Sequence, residues 1–266
     1  MTNWKTLASL LNQPTTVGNY KIYPLLGTDA VHGNQHVVGQ PLFPQNIGMA
    51  ASHNNQNFKN AGKHAAASVR ESGWNFAFAP TVAVSHNYYW GRHYETLGSE
   101  HDNIRGYASS YVAGLQGDNG KGSWSGVCSS VKHYIGDGAT YYGIDEGNNT
   151  VHSFKNFVDA NFVGYSGGKD ECMGNVMISY SATNAISSSI SSAMVTGLLK
   201  NGIQDKQPWG GFTISDYDEI SKVASQNMPT TNFDMTPYYA MVNMINAGVD
   251  MMMLAAPNAA FTPALF

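Results

Sequence analysis

The sequence predicts an α/β fold in which a parallel sheet is arranged as a (β/α)8 barrel. Short apolar runs bounded by turn residues recur along the chain, as expected of strands buried on both faces. Segments with helical spacing of apolar residues lie between these runs, and such alternation is typical of a parallel sheet with crossover helices. Polar side chains end several runs, and a barrel gathers the carboxyl ends of its strands around one mouth.

Six apolar runs are the predicted strands, and a seventh is a weaker candidate. A doubly wound sheet is the alternative, but no GxGxxG or Walker pattern follows any of the runs. A closed barrel has eight strands, which leaves room for a barrel that is incomplete at both ends. The runs are 21–31, 74–84, 126–136, 174–182, 211–217 and 248–254, with 46–50 (NIGMA) as the seventh.

Four longer helices are predicted between the runs. In the first of them, apolar residues recur every three or four positions, and Gly73 follows as a common helix stop. Neither an internal repeat nor a linker is apparent, so residues 1–266 are predicted to form one barrel domain. The predicted helices are 54–72, 100–116, 188–200 and 236–247.

The chain begins with MTNWKTLASLLNQPTT, which lacks the long apolar core of a signal peptide. This stretch instead predicts a short helix with Thr2 as its N-cap. One face of that helix would carry the apolar residues Trp4, Leu7, Leu10 and Leu11.

The composition of the 266 residues narrows the possible functions. Hydrophobic residues make up 42%, which is enough for a substantial core, whereas charged residues make up only 12%. The net charge is −4 and no Lys/Arg cluster occurs, so nucleic-acid binding is not expected. No apolar run reaches the roughly 18 residues of a membrane span. Of the two cysteines, Cys128 lies in a predicted strand and is expected to be a buried free thiol.

Asp216 is the sharpest candidate for chemistry. It ends the run at 211–217 (GFTISDY), and a carboxylate at the carboxyl end of a barrel strand points into the mouth. There it can attack a carbon, bind a metal or position a cation. The alternative is a helix N-cap, because aspartate caps helices well. Asp218 and Glu219 are expected in the first helical turn, where the helix dipole favours carboxylates.

Lys132 and His133 form a second candidate at the end of the run at 126–136. An ammonium group beside an imidazole suits hydrogen bonding to several neighbouring hydroxyls, and a buried lysine without a role is uncommon. The loop that follows carries Asp137, Asp145 and Glu146 among glycines. The alternative for this loop is a plain solvated connection.

Asp29 and Arg92 are two further candidates. Asp29 ends the first run, in GTDAVHG, and Arg92 and Glu95 lie in WGRHYETLG. An aspartate and an arginine could hold sugar hydroxyls by charge-assisted hydrogen bonds, and the alternative is a structural ion pair. Neither a HExxH pattern, a Gly-x-Ser-x-Gly elbow nor a phosphate-binding signature occurs, so no metal and no cofactor are predicted.

Taken together, these motifs resemble the N-terminal catalytic domain of glycoside hydrolase family 3, which includes β-glucosidases and exo-β-glucanases. GTDAVHG is similar to the family's GIDAVHG, FAFAPTVAVSHNYYWGRHYE to its FAPxxAVxxDPRWGRxYE, and VKHYIGDGATYYGIDEGNNT to its AKHFxGDGGTxxGINENNT. GFTISDYDEI follows in register, and the resemblance runs from about Tyr23 to Leu254.

The resemblance implies a retaining β-glycosidase that removes terminal non-reducing β-glucosyl residues from a β-glucoside or β-glucan, in a secreted or luminal setting. Asp216 would be the nucleophile that forms a covalent glycosyl-enzyme. The residues implied to bind the sugar are Asp29, Arg92, Lys132, His133, Glu146, Tyr180 and Tyr217, the last standing where the family usually has Trp.

The chain also departs from the family pattern. In the family a glutamate of a second domain usually acts as the general acid/base, and that domain is expected to be absent from this chain. A branch of the family instead uses a histidine in the loop after Lys-His, where this chain has Asp137. A second domain or partner chain would then supply the acid/base. The alternative is a catalytically impaired descendant that serves as a carbohydrate-binding or structural subunit.

Overall fold

A six-stranded parallel sheet lies at the centre of the molecule. The structure is a computed structural model that describes residues 4–117, 126–203, 206–225 and 237–255. The order of the strands across the sheet equals their order along the chain, as in a barrel and unlike a doubly wound sheet. The strands are β1 (Gly27–Asp29), β2 (Phe76–Phe78), β3 (Cys128–Tyr134), β4 (Asn175–Ile178), β5 (Phe212–Tyr217) and β6 (Met251–Met253).

The sheet confirms the predicted fold class, with six of the eight barrel strands. Each strand pairs in parallel with its neighbour, from Gly27 opposite Phe76 at one edge to Ile214 opposite Met251 at the other. Within the described part of the chain, β1 and β6 do not pair with each other, so the sheet there forms an open part of a barrel. Because all strands are parallel, their carboxyl ends share one edge, where the site candidates lie.

Helices connect the strands and cover the outer face of the sheet. The four longer predicted helices are present, although 188–200 forms a short 3₁₀ turn at Ser188–Ile190 and then a π-helix, Ala193–Lys200. The α-helices are α1 (Trp4–Leu11), α2 (Asn46–Ala50), α3 (Asn55–Glu71), α4 (His101–Gln116), α5 (Phe154–Asn161), α6 (Val163–Asp170), α7 (Glu219–Ser225) and α8 (Pro237–Ala247). Thr2, the predicted cap of α1, lies outside the described residues.

Two strand predictions were wrong in detail. The seventh candidate, 46–50, is helix α2: Asn46, Met49 and Ala50 are buried together, and this spacing of three to four fits one face of a helix. The run at 21–31 divides into two elements, because its first residues join an exposed hairpin (Thr15–Val17 with Tyr20–Ile22) before β1 begins at Gly27. Helices α5 and α6 were not predicted, since three glycines interrupt the apolar pattern of α6.

Helices α3 and α4 pack closely because glycines face each other between them. A Cβ atom on Gly114 would lie 2.3 Å from the carbonyl oxygen of Lys59, and one on Gly62 would lie 2.5 Å from that of Tyr111. Beside this contact Phe58 stacks on Tyr107, with 4.4 Å between ring centroids. The backbones therefore touch at a distance that only glycine permits.

A small three-stranded sheet joins two loops at the carboxyl edge of the main sheet. Asn148–Asn149, from the loop after β3, pairs in parallel with Ala182–Thr183, from the loop after β4. Ala182–Thr183 also pairs with Ile186–Ser187 in an antiparallel hairpin. These two loops therefore hold each other in place.

Two further observations concern the cysteines and the helices. Cys128 is a buried free thiol, as predicted, and Cys172 is free and exposed. No helix in the described residues is both long enough and apolar enough to cross a bilayer.

Candidate active site

The buried Lys132 and the partly exposed Asp29 form an ion pair at the carboxyl edge of the sheet. Nζ of Lys132 lies 2.6 Å from Oδ1 of Asp29, although β2 separates the two strands that carry them. Lys132 is only 4% exposed. Burial acts to raise the pKa of Asp29, but the charge and hydrogen bond of Lys132 outweigh it, so this pKa lies below its ordinary value.

Arg92 and Glu95 form a second ion pair beside the first. Nε of Arg92 lies 2.8 Å from Oε1 of Glu95, and Nη2 lies 2.8 Å from Oε2. The hydroxyl of Thr81 donates a hydrogen bond of 3.3 Å to Oε2 as well. Burial opposes ionisation of Glu95, but Arg92 holds the pKa of this carboxyl below its usual value. The structural ion pair that the sequence left open is therefore present.

Both ion pairs line one cavity. Its volume is about 240 Å³, and Asp29, Arg92, Glu95 and Lys132 contribute to its wall together with His32, Gln35, Gln45, Tyr94 and Val31. The wall thus combines two cationic and two anionic groups with amides and an aromatic ring, a donor and acceptor set suited to a polyhydroxylated ligand.

His133 connects Asp216 to a buried polar network. Its Nδ1 lies 2.8 Å from Oδ2 of Asp137, and its Nε2 lies 3.6 Å from Oδ2 of Asp216. The other oxygen of Asp137 accepts a hydrogen bond of 3.0 Å from Ser179. Burial acts to raise the pKa of Asp137, but His133, Arg92 and Ser179 outweigh it and lower this pKa. Asp137 therefore orients the imidazole toward Asp216.

Asp216 is not a helix cap. Helix α7 begins at Glu219, and Asp218 serves its first turn: its carbonyl accepts from the backbone of Ser221 and its carboxylate from the Ser221 hydroxyl. Asp216 is 8% exposed, and its Oδ1 accepts the Tyr217 backbone N–H at 2.7 Å. Its Oδ2 has no hydrogen-bond partner among the described residues. A buried carboxylate oxygen without a partner is costly, which marks it as available for another role.

The remaining predicted residues form a second cluster near Asp216. Glu146 is bound to Lys222, with 2.6 Å between Oε2 and Nζ, and this Nζ lies 3.3 Å from the ring centroid of Tyr180. The hydroxyl of Tyr180 donates to the carbonyl of Tyr217. Burial and then the charges of Asp216 and Glu219 raise the pKa of Tyr180. Tyr217 is itself 55% exposed.

The structure thus brings the predicted residues together in two groups. Asp29, Arg92 and Lys132 line the cavity, and His133 stands between this group and Asp216. Asp216 is not among the residues of the cavity wall. Glu146 and Tyr180 contact Lys222, and Tyr180 in turn donates a hydrogen bond to the carbonyl of Tyr217.

Glu219 is a residue that the sequence placed correctly but whose environment was missed. It begins α7 as expected, yet it is 1% exposed rather than solvated. Burial and, less strongly, the charge of Asp216 raise its pKa to about 8. The only signal in the sequence was its position before the apolar pair Ile220 and Val223, which pack in the core. Among the described residues, no group of three His, Cys, Asp or Glu side chains could hold a metal ion.

Comparison with known proteins places the chain in one family. The model of the glycosyl hydrolase family 3 N-terminal domain matches residues 1–264. The chain is 27% identical over 259 residues to the periplasmic β-glucosidase of Salmonella typhimurium, covering 97% of this chain and 32% of that protein. It is 25% identical over 241 residues to the lysosomal β-glucosidase of Dictyostelium discoideum, covering 88% of this chain and 28% of that one.

The fold comparison agrees. The exo-1,3/1,4-β-glucanase of a Pseudoalteromonas species superposes with a TM-score of 0.80 at 31% identity, over 95% of this chain and 31% of that one. The chain spans about a third of the length of the relatives it matches. From the sheet to the family match, the observations agree that the chain belongs to glycosyl hydrolase family 3, as its N-terminal domain.

Proposed function

We propose that this domain cleaves terminal non-reducing β-glucosyl residues with retention of configuration, through a covalent intermediate on Asp216. The observation that carries the proposal is Oδ2 of Asp216, which is buried, lacks a hydrogen-bond partner among the described residues and lies 3.6 Å from Nε2 of His133. A nucleophile must keep one oxygen free for the anomeric carbon. The β-glucosidases and β-glucanase to which the chain is similar support the choice of substrate class.

The proposed reaction has two steps. In the first, Oδ2 of Asp216 forms a bond to the anomeric carbon while the glycosidic bond breaks and the leaving oxygen takes a proton. In the second, water attacks the same carbon, gives a proton to the acid/base group that protonated the leaving oxygen, and releases Asp216 as a carboxylate. His133 helps to hold Asp216 in place, and Asp137 fixes the orientation of the imidazole.

The cavity wall supplies groups for the sugar hydroxyls. Asp29 accepts hydrogen bonds, Lys132 and Arg92 donate them, and each is already oriented by an ion pair. Preorganised donors and acceptors of this kind lower the cost of orienting the substrate. Tyr217 is exposed next to the nucleophile and is the proposed aromatic wall for the sugar ring or its leaving group.

The proton donor is proposed to come from a second domain or a partner chain. In retaining glycosidases the two carboxyl groups stand about 5 Å apart across the scissile bond. The proposal therefore places a carboxyl group of the partner about that far from Asp216. Without the donor, natural substrates lose roughly a hundredfold or more in rate.

The alternative is a domain that binds carbohydrate without cleaving it. One observation favours it: Glu146, a proposed sugar-binding carboxylate, is bound to Lys222 at 2.6 Å. A sugar would have to compete with this ion pair. In that case the cavity would still bind a sugar, but Asp216 would form no bond to it.

The test uses an aryl β-glucoside with an activated leaving group, which needs little acid assistance. We expect slow turnover by the wild type, loss of turnover in Asp216→Asn, and retention in the matched control Asp218→Asn. A 2-deoxy-2-fluoro-β-glucoside should label the wild type on the peptide that contains Asp216, as seen by mass spectrometry. Neither turnover nor labelling, together with sugar binding by calorimetry, would establish the non-catalytic alternative.

A further inference from the structure

Two buried carboxyl groups flank the start of helix α7. Asp216 lies near the end of β5, and Glu219 is the first residue of the helix. Each has one buried oxygen without a hydrogen-bond partner among the described residues, namely Oδ2 of Asp216 and Oε2 of Glu219. Ionising both groups would place two desolvated negative charges close together, which is strongly unfavourable.

The hydrogen bonds of Glu219 bring no positive charge to its carboxyl group. Its Oε1 accepts hydrogen bonds from the hydroxyls of Ser187 at 3.2 Å and Ser189 at 2.9 Å. Two hydroxyl donors satisfy a carbonyl-type oxygen without supplying a positive charge. The other oxygen is then free to carry the proton.

The charged groups around Glu219 compensate a negative charge on it only in part. Lys222, one turn along α7, is the cation that acts on it, but its ammonium group lies 2.6 Å from Glu146 and over the ring of Tyr180. Asp216 contributes a like charge.

Helix α8 and strand β6 pack against α7 and, in the residues that the structure describes, add no other charge. The titratable side chains of α8 are Tyr238 and Tyr239, each about half exposed. Strand β6 consists of three methionines. Burial, and to a smaller extent the charge of Asp216, raise the pKa of Glu219 to about 8.

We propose that Glu219 is a positioning residue that keeps its proton while Asp216 is ionised, so that the pair carries a single negative charge. Glu219 acts through Asp216, because its own buried oxygen is not accessible to a glycosidic oxygen. Its consequence for catalysis rests on the proposed function: formation of the ester on Asp216 removes the like charge and lowers the pKa of Glu219. The proton-holding role itself is independent of any turnover.

The test is the titration of the Glu219 carboxyl by carbon-13 NMR on protein labelled in its glutamates. We expect a midpoint near 8 in the wild type, a lower midpoint in Asp216→Asn, and no change in the matched control Asp218→Asn. Ser189→Ala provides an independent variant, which should raise the midpoint because it removes a donor that favours the ionised form. A wild-type midpoint near 4.5, or the same midpoint in wild type and Asp216→Asn, overturns the proposal.

The pH dependence of turnover distinguishes a positioning role of Glu219 from a purely structural one. The pH profile for the activated aryl β-glucoside should show an ionisation near pH 8 that is absent in Glu219→Gln. An inflection that persists in this variant overturns the catalytic consequence. If no form of the protein turns over, the proposed function fails, while the NMR titration still decides the protonation of the pair.

Discussion

The ammonium group of Lys132 lies 2.6 Å from Oδ1 of Asp29 and spans the strand between them. Lys132 is almost fully buried, whereas the Asp29 side chain is 44% exposed toward the cavity. The pair therefore has two roles: it neutralises a buried charge and presents a carboxylate to the cavity. The first role can be measured without any substrate.

Asp29→Asn should destabilise the protein, because it leaves Lys132 buried without its counter-charge. We expect a loss of about 3 kcal/mol in the free energy of unfolding, at the lower end for broken buried pairs since Asp29 is partly exposed. Denaturant unfolding measures this loss. The double variant Asp29→Asn/Lys132→Met should recover most of it, and equal losses in the single and double variants would contradict the buried-charge explanation.

Asp137→Asn should impair turnover while leaving the fold intact. The amide can present N–H groups to Nδ1 of His133 where the carboxylate now accepts, so the imidazole loses its fixed orientation. We expect a fall in kcat/KM on the order of 10²-fold or more for the activated aryl β-glucoside. Asp145→Asn is the matched control, because Asp145 lies in the same loop and accepts from Trp90. Equal effects of both variants would show a general disturbance of the loop.

Glu219 should make stability depend on pH. Its folded pKa of about 8 lies above the unfolded value of 4.5, so its contribution is fully present below pH 4.5 and is lost as the pH rises through about 8. In this window we expect the free energy of unfolding to fall by about 1.4 kcal/mol per pH unit relative to Glu219→Gln. Denaturant unfolding over the range from about pH 4 to about pH 9 tests this. Parallel curves for the two proteins would show that Glu219 is ionised when folded.

Gly114→Ala should force α3 and α4 apart. The new Cβ would lie 2.3 Å from the carbonyl oxygen of Lys59. This is a backbone atom, which cannot move aside as the end of a flexible side chain can. We expect a loss of about 2 kcal/mol, as in other overpacked sites. In the same helix, Gly106→Ala would meet only the side chain of Asn55 and should be neutral or stabilising by up to about 1 kcal/mol. Thermal unfolding midpoints that move in the same direction would contradict this packing argument.

Only one of the two thiols should react in the folded protein. Burial raises the pKa of Cys128 to about 12, whereas Cys172 is exposed. A thiol reagent at neutral pH should therefore modify one cysteine in the native state and two in denaturant. Mass spectrometry of the labelled peptides identifies the residue, and modification of Cys128 at the rate of Cys172 would contradict its burial.

The sequence predicted the existence of the sheet better than the bounds and type of its first elements. Strand β5 and the position of Asp216 followed from an apolar run and one carboxylate, because both depend on local pattern. The five residues of α2 are too few for a helix and a strand to differ in apolar spacing, so 46–50 was assigned wrongly. The first run failed because Tyr20–Ile22 carries the strand-favouring residues Tyr and Ile although it is exposed, so its pattern does not separate it from the sheet strand Gly27–Asp29.

The residues of the candidate site could be predicted from the sequence, but the contacts between them could not. Asp29, Lys132 and His133 lie at strand ends as expected, yet the pairing of Asp29 with Lys132 and of His133 with Asp216 joins strands that are distant in the sequence. The environment of Glu219 shows the limit most clearly. The dipole of α7 favours a carboxylate at its position, but tertiary burial between Asp216 and the serines reverses that preference for the charged form.

The small three-stranded sheet ties the segment after β3 to the segment after β4 through Asn149 and Thr183. Exchanging either segment alone would break this strand pairing. Ser187, in the same small sheet, also donates a hydrogen bond to Glu219. Anyone who redesigns substrate preference by grafting loops from a relative would need to transplant the two segments as one cassette.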